Sequence, residues 1–287
     1  MSLVWLIALV CPGAFPVAAQ APPEPLPDKS RYSLFNPTPR QLLRELATDR
    51  PDQTESPYTV DAGHFQLEMD FVSFAKTRDR SEGINTELKE WTVAPVNLKV
   101  GLLNRVDLQL ILETYLQARA EDRVAHTATT ASGFGAAITR LKINLWGDDS
   151  GKSAFAVLPF IKWPLPESDL RNGKTEGGIL FPLAVALPGG WNMGAMTGFD
   201  VAYDVDQATY QTGYINSITF GHTLLGKLSG YSEFFSDIRS ESSWIGTVDF
   251  GLTYMLTDNI QLDGGCNIGV TGMAEDYRVF SGMSLRF

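Results

Sequence analysis

The sequence predicts an all-β fold, an antiparallel transmembrane β-barrel of about twelve strands with a short N-terminal extension. Three observations favour this fold. From about residue 64 to residue 287, apolar and polar residues alternate with a period of two, and the links between alternating segments are short and long by turns. The tryptophans of this region lie near the predicted segment ends, as expected for rings that prefer the membrane interface. A period of two places apolar side chains on one face of a strand and polar ones on the other.

Each alternating segment is long enough for a tilted crossing of a membrane, which takes about 9–11 residues. In the first segment, Phe65, Leu67 and Met69 oppose Gln66 and Glu68. Segments five, six and eight do not resolve into an apolar and a polar face, so their orientation stays open. The twelve segments cover approximately residues 64–74, 89–101, 106–117, 133–146, 153–164, 176–188, 191–203, 210–223, 227–237, 244–256, 260–271 and 277–287.

The lengths of the links distinguish a barrel from a sandwich. Links on one side have only a few residues, whereas the other side has the long polar links 75–88, 118–132 and 165–175. Short turns on one side and longer loops on the other are typical of outer-membrane barrels. An even strand number also closes such a barrel without a free edge. A soluble periplasmic sandwich is the alternative, although it has no reason to sort its loops in this way.

The N-terminal residues predict export. An apolar run over residues 3–10 is followed by Pro12 and by the small-residue tract 17–21, which is typical of a signal peptide over residues 1–21. No Lys or Arg precedes the run, which is a departure from the usual pattern. Cleavage is expected after Ala19 or Ala21. Export of a chain with this strand pattern predicts the bacterial outer membrane as its location, with outer-membrane lipid as a partner.

Residues 22–63 are predicted to form a periplasmic leader before the barrel at residues 64–287. Thr38 and Pro39 open a short helical pattern, with leucines at 42, 43 and 46 on one face. The later stretch 48–58 is charged, and its prolines exclude a helix. It could fold into the lumen as a small plug, with Arg50 pairing with luminal carboxylates, or cap the lower rim. The candidate plug residues are Arg50, Asp52 and Glu55.

Composition excludes several classes of function. The chain has 33 acidic and 23 basic residues, for a net charge of −10, so it has no electrostatic footprint for nucleic acid. Cys11 leaves with the signal peptide, and Cys266 alone cannot form an internal disulfide. The histidines, His64, His126 and His222, have neither metal-ligand spacing nor the setting of a catalytic triad. We therefore expect no enzyme activity, no metal and no cofactor.

Charged residues on the polar faces are predicted to line the lumen. They could form a structural salt-bridge ladder without a conducting path, or a polar channel whose charges select solutes. Their mild acidic excess predicts at most a weak preference for cations or neutral polar solutes. The candidate lumen-lining residues are Glu68, Asp70, Lys99, Asp107, Glu113, Arg140, Lys142, Asp249, Asp263 and Arg286.

The last strand, residues 277–287, resembles the C-terminal strand of bacterial outer-membrane barrels. Its apolar row ends on Phe287, and the resemblance implies an assembly signal that the barrel-assembly machinery recognises. The stretch 48–58, with Gly63, Phe65 and residues 66–68, also resembles the opening of an outer-membrane family named for the meta-cleavage pathway of phenol degradation. Supporting pieces are residues 97–101, 104–108, 141–147 and 254–259.

The resemblance implies a barrel of a family commonly labelled as transporters. It implies passive passage of a small solute, and an aromatic or other small organic compound is implied by this resemblance alone. The alternative is a structural or interaction barrel with a blocked lumen, which uses its surface loops for docking. No catalytic or binding residues of the family carry over to this chain.

Deleting Phe287, or replacing it with a charged residue, is predicted to slow membrane insertion, because it breaks the apolar row of the final strand. A protease-sensitive periplasmic species should accumulate in pulse-chase fractionation. Recovery of correctly folded full-length protein from the soluble periplasm without detergent would contradict the barrel.

Overall fold

The computed structural model describes residues 28–79, 85–205, 207–240 and 244–287, which form a closed antiparallel β-barrel of twelve strands. The barrel closes because the last strand pairs with the first, with Gln66 opposite Arg286. The predicted signal peptide lies outside the described residues. The strand segments are β1 (Phe65–Asp79), β2 (Thr86–Val93), β3 (Val96–Leu103), β4 (Val106–Leu112), β5 (Tyr115–Asp122), β6 (Thr127–Gly133), β7 (Ala137–Trp146), β8 (Ser153–Lys162), β9 (Glu176–Ala186), β10 (Trp191–Asp204), β11 (Thr209–Leu225), β12 (Leu228–Arg239), β13 (Ile245–Thr257), β14 (Ile260–Gly269) and β15 (Tyr277–Arg286).

Three of the twelve crossings are interrupted, which is why fifteen segments are described. β2 continues into β3, β4 into β5, and β6 into β7, with breaks at residues 94–95, 113–114 and 134–136. Below the breaks, β1, β3, β4 and β7 pair in sequence and continue the closed wall. Above them, β1, β2, β5 and β6 pair, and β6 has no strand partner other than β5. The upper four strands therefore project from the barrel as a sheet.

Two of the links predicted to be long are mostly strand. β1 extends to Asp79 and β2 begins at Thr86, while β5 and β6 occupy most of 118–132. The sequence pattern failed here for a physical reason. Alternation marks a strand only where one face meets lipid, and above the membrane both faces of these strands are polar.

The predicted helix after Thr38 was wrong in extent. Only a single 3₁₀ turn, Arg40–Leu42, forms, and Leu43 is already extended. Tertiary contacts of Arg44 oppose helix continuation. Its backbone N–H donates to Asp61 (3.0 Å), and its guanidinium donates to the carbonyl oxygen of Thr59 (2.9 Å).

The barrel has apolar residues outside and charged residues inside. Leu98, Leu108 and Phe220 are exposed on the outer face, whereas Lys99 and Asp107 on the opposite parity are buried. All five tryptophans outside the predicted signal peptide are exposed, and several stack on neighbouring rings, as Trp146 does on Phe155. The described residues contain no helix with the length and apolar content needed to cross a membrane.

The structure resolves the orientation of the three ambiguous strands. On β8 the buried parity is Ala154, Ala156 and Leu158, and on β9 it is Leu180 and Pro182. These strands have apolar residues on both faces, which explains why alternation could not orient them. On β11 the buried face is polar or small and the exposed face aromatic and aliphatic.

Cys266 is predicted to react with a lipid-soluble maleimide and not with a membrane-impermeant one. It lies opposite Phe250 and Val279, both exposed on the outer face. The matched control is Asn267→Cys in a Cys266→Ser background, because Asn267 lines a luminal cavity and should react with the impermeant reagent. The reverse pattern of labelling would contradict the register of β14.

Candidate functional site

Residues 48–58, here called the luminal segment, run through the interior of the barrel. Arg50 forms ion pairs with Asp70 on β1 and with Asp263 on β14, the latter at 2.6 Å between Nη2 and Oδ1. Its guanidinium also lies over the ring of Phe280 on β15, 5.7 Å from the centroid. One side chain of the segment therefore links the first strand to the last two.

Asp49 is the centre of the ion network. Its carboxylate pairs with Lys99 on β3 and with Lys142 on β7, where Oδ1 lies 2.5 Å from Nζ. Both lysine side chains are almost fully buried. Burial by itself would raise the pKa of Asp49, but the two lysines outweigh it and hold the pKa well below its usual range. The backbone N–H of Asp49 in turn donates to Glu68, which pairs with Lys99.

A second set of contacts fixes the segment to the other side of the wall. The backbone N–H groups of Gln53 and Thr54 donate to the Glu233 carboxylate on β12, at 2.8 and 2.7 Å. The Gln53 side-chain amide donates to Asp249 on β13 at 2.7 Å. The Thr54 hydroxyl lies 2.6 Å from that of Ser217 on β11. The segment is thus held by backbone as well as by side-chain groups.

The remaining acids of the segment are in contrasting environments. Glu55 forms an ion pair with Arg140 on β7. Asp52 has no basic partner in the described ion pairs, and burial, with the nearby charges of Asp49 and Glu55, raises its pKa to about 7. The segment therefore carries one carboxyl that is protonated at neutral pH to a substantial degree.

The lower end of the segment is anchored at the short-turn side. Arg44 pairs with Asp148 at 2.9 Å, and the Thr59 backbone N–H donates to the same carboxyl at 3.0 Å. Arg286 on β15 donates to the backbone carbonyl of Arg44 at 2.7 Å. Asp61 pairs with Arg44 through its carboxylate, 3.4 Å from Nε.

The predicted lumen-lining residues lie inside the barrel, but they contact different parts of the chain. Seven of the ten contact residues 48–58 directly; they are Glu68, Asp70, Lys99, Arg140, Lys142, Asp249 and Asp263. Asp107 accepts the backbone N–H of Val60, and Arg286 belongs to the lower anchor. Glu113 accepts the backbone N–H of Ala136 at 2.7 Å and so joins two of the strand interruptions.

Sequence reasoning missed Asp49, Glu233 and the lower anchor around Arg44. Asp49 and Arg50 are adjacent charges in the same stretch, and no pattern in the sequence ranks one above the other. Glu233 lies in the inward-facing row of β12 with Asp237 and Arg239, but the rings of Tyr231 and Phe235 stand in the same row and obscure its polar character.

One part of the luminal wall is apolar. Leu158, Leu180 and Met196 form a buried cluster on β8, β9 and β10, with Phe160 and Ile215 packed against it. None of these strands supplies an ion pair to the luminal segment in the described structure. The lumen thus has a charged side, to which the segment is bound, and an apolar side.

Cavities lie at both ends of the luminal segment and beside it. A cavity of about 470 Å³ on the long-loop side is lined by Arg50, Gln53 and Asp70 among others. One of about 950 Å³ on the short-turn side is lined by Arg44, His64 and Lys227 among others. A smaller one, about 200 Å³, lies between the segment and β9–β11 and is bordered by Ala184, Gly194 and Tyr231.

The described residues contain no group of three His, Cys, Asp or Glu side chains that could hold a metal ion. The histidines lie in three different places. His64 contacts the carbonyl of Thr38, His126 occupies the turn between β5 and β6, and His222 stacks on Trp191.

Asp49→Asn is predicted to loosen the luminal segment, because it leaves Lys99 and Lys142 buried without their shared partner. Removing one partner of a buried ion pair lowers the stability of the folded state by roughly 3–5 kcal/mol. Cleavage after Glu55 by a glutamyl endopeptidase, in the folded, detergent-solubilised barrel, should become much faster, because the Glu55–Ser56 bond lies in the same segment. Asp28→Asn, on an exposed residue, is the control. Unchanged cleavage in Asp49→Asn would contradict the central role of this carboxylate.

Docking of the luminal segment is predicted to weaken as pH rises. The docked pKa of Asp52, about 7, lies above its ordinary value of 3.8, so the docked state binds the proton more tightly. That stabilisation is complete below about pH 4 and is lost as pH rises through 7. Cleavage after Glu55 by a glutamyl endopeptidase, relative to that of a free peptide of the same sequence, should therefore accelerate between pH 6 and pH 9, and Asp52→Asn should flatten this dependence. Equal slopes in the two proteins would exclude Asp52 as the titrating group.

Comparison with known proteins agrees with this architecture. The COG4313 outer membrane channel from Pseudomonas putida F1 is similar at a TM-score of 0.56 and 12% identity, over 84% of this chain and 100% of that one. The NanC porin gives 0.47 and 12%, over 75% and 98%. The toluene transporter TbuX from Ralstonia pickettii gives 0.40 and 6%, over 78% and 88%.

At these identities the structural likeness shows the fold, which is that of outer-membrane barrels. A search of curated protein sequences gave no match. The family model described as "Putative MetA-pathway of phenol degradation" matches residues 48–287, from the start of the luminal segment to the last strand. The resemblance read from the sequence is confirmed, and the chain belongs to this family.

Proposed function

We propose that the protein is an outer-membrane channel through which a small organic solute passes beside the luminal segment. The observation that carries the proposal is the uneven lumen. The segment is fixed to the charged side of the wall, while the side formed by β8–β10 has an apolar surface. Cavities open at both ends of the segment, and a third lies beside it.

The size of the smallest cavity limits the solute. Its volume, about 200 Å³, exceeds the roughly 150 Å³ of an engineered apolar cavity that binds benzene. One aromatic ring or a compound of similar size therefore fits without displacement of the segment. The family description and the apolar side of the lumen both support a small organic compound over a sugar or a peptide.

Charge supports a neutral or cationic solute over an anionic one. The basic luminal residues Arg50, Lys99, Arg140 and Lys142 are each paired with carboxylates. Glu233 and Asp249, by contrast, lie directly opposite each other on β12 and β13, beside Asp52. None of these three carboxyls has a basic partner in the described ion pairs, so this part of the lumen offers acidic groups and no free cation, which disfavours anions.

Filling the cavity beside the segment tests the route. Ala184 borders this cavity, and Ala184→Phe should reduce uptake of phenol into proteoliposomes to near the background of empty vesicles. Val185 points to the opposite face of β9, so Val185→Phe is a control with the same side chain added outside the lumen. Equal uptake by the wild type and Ala184→Phe would contradict passage along this side.

The second candidate is a structural barrel with a blocked lumen, which the dense ion network around Asp49 favours. Single-channel conductance in planar bilayers distinguishes the two. A channel gives discrete current steps, with cations preferred over anions, and a blocked barrel gives none. Conductance steps in a correctly folded wild type with strong anion preference would contradict the charge assignment of the lumen.

A reversible cross-link tests whether the segment must move. The Thr54 and Ser217 hydroxyls lie 2.6 Å apart, so Thr54→Cys with Ser217→Cys, in a Cys266→Ser background, should form a disulfide. Because the proposed route passes beside a fixed segment, phenol uptake should be the same in oxidised and reduced protein. Uptake only after reduction would show that the segment has to leave its docked position.

A further inference from the structure

Three cations lie side by side on the outer surface of the projecting sheet. Strand register places Lys76 of β1 directly opposite Lys89 of β2, and Lys89 directly opposite Arg119 of β5. Like charges at directly opposed positions destabilise a sheet. This arrangement, here called the cationic row, therefore requires anionic partners to be compatible with a stable sheet.

The cationic row faces outward at a defined height. On the same two strands, Phe74 and Trp91 lie two positions nearer the membrane than Lys76 and Lys89. They are directly opposite each other, and their ring centroids are 4.6 Å apart. Trp91 is exposed on the outer face, and residues two apart on a strand share a face. Tyr277, which is directly opposite Lys76, also packs against Phe74. The cations thus lie immediately above aromatic rings of the kind that mark the membrane interface.

Among the described residues, the ion pairs leave the row with more cations than carboxylates. Glu87 lies one row further from the membrane, and its buried carboxylate is shared by Lys76 (3.1 Å), Lys89 (2.7 Å), Arg78 (2.9 Å) and Arg123 (2.8 Å). One carboxylate thus serves four cations. Arg119 is exposed and forms none of the described ion pairs. Glu121, opposite Glu87, and Asp276, 3.8 Å from Arg78, are the further acids nearby.

The cationic row differs in charge balance from the rest of the molecule. The chain has a net charge of −10, so a concentration of cations on one outward face is not a consequence of general composition. The four luminal cations Arg50, Lys99, Arg140 and Lys142 form ion pairs with five carboxylates, whereas the cations of the row are exposed or share a single acid. The row has the chemistry of a site for a multiply charged anion at the membrane interface.

We propose that the cationic row binds the phosphate groups of an anionic glycolipid in the outer leaflet. The inference rests on the outer-membrane location proposed above. Lys76, Lys89 and Arg119 contact phosphate at headgroup level, and Phe74 and Trp91 contact the adjoining apolar part of the lipid. Arg78 and Arg123 extend the positive surface away from the membrane.

The test uses full-length protein folded in detergent micelles, with lipid binding measured by native mass spectrometry. The probes are diphosphorylated lipid A, the same lipid with its phosphates removed, and inorganic phosphate. The test variant is Lys76→Gln with Lys89→Gln and Arg119→Gln. The matched control removes three cations on the short-turn side, Arg105→Gln with Lys152→Gln and Lys227→Gln, which are exposed.

Each cation near a lipid surface contributes enough attraction to change affinity about fivefold. We therefore expect lipid A binding to fall by about 100-fold in the test variant and to change little in the control. Loss of the phosphates should weaken binding to the wild type to a similar degree, and inorganic phosphate should not compete at equal concentration. Affinity should also fall with added salt.

Three results would overturn the inference. They are equal lipid A binding by the test variant and the wild type, equal binding of the dephosphorylated lipid, and competition by inorganic phosphate at equal concentration. Lys89→Gln alone, with a fivefold effect expected, keeps the test decisive if the triple variant does not fold. Failure of the wild type to insert into bilayers would overturn the outer-membrane proposal as well, whereas insertion without lipid A preference overturns this inference alone.

Discussion

The pairing of Asp49 with two buried lysines is the interaction on which the interior of this barrel depends. Lys99 and Lys142 are almost inaccessible to water, and Glu68 and Asp107 alone would leave their charges imperfectly compensated. Removing charges from water costs several kcal/mol per ion unless partners replace the lost hydration. The luminal segment supplies those partners, so the segment and the barrel wall stabilise each other, and neither has a satisfactory charge distribution without the other.

This dependence also determines where free space remains. Strands on the charged side carry buried ions that pair with the luminal segment. Strands on the apolar side carry no charged groups that pair with it in the described structure. The segment therefore binds β1, β3, β7 and β11–β14, and the space beside it borders β9–β11. An asymmetric lumen follows directly from the uneven distribution of charge along the sequence.

Strand number, closure and most strand positions could be predicted because lipid on one side and a polar interior on the other impose alternation. Where that condition fails, prediction failed. β8 and β9 have an apolar luminal face, so their orientation was not readable, and Lys76 and Arg78 lie on a face that no longer meets lipid, so their part of the strand was predicted as a loop. The charged residues of the lumen were identifiable, but not the pairing of Arg50 with Asp263, because residues 213 positions apart meet only after closure.

The limited pairing of β6 has a consequence for the depth of the protein in a membrane. β6 hydrogen-bonds to β5 alone among the described strands, so its second edge carries backbone groups without a strand neighbour. Such an edge is tolerated in water and excluded from hydrocarbon, where every backbone group requires a partner. The break at residues 134–136, where β7 regains partners on both sides, consequently fixes the highest level that the hydrocarbon layer can reach on this side of the barrel. Trp163 donates its backbone N–H to the carbonyl oxygen of Ala137 at that same level, and its exposed indole ring is of the kind that lies at the membrane interface.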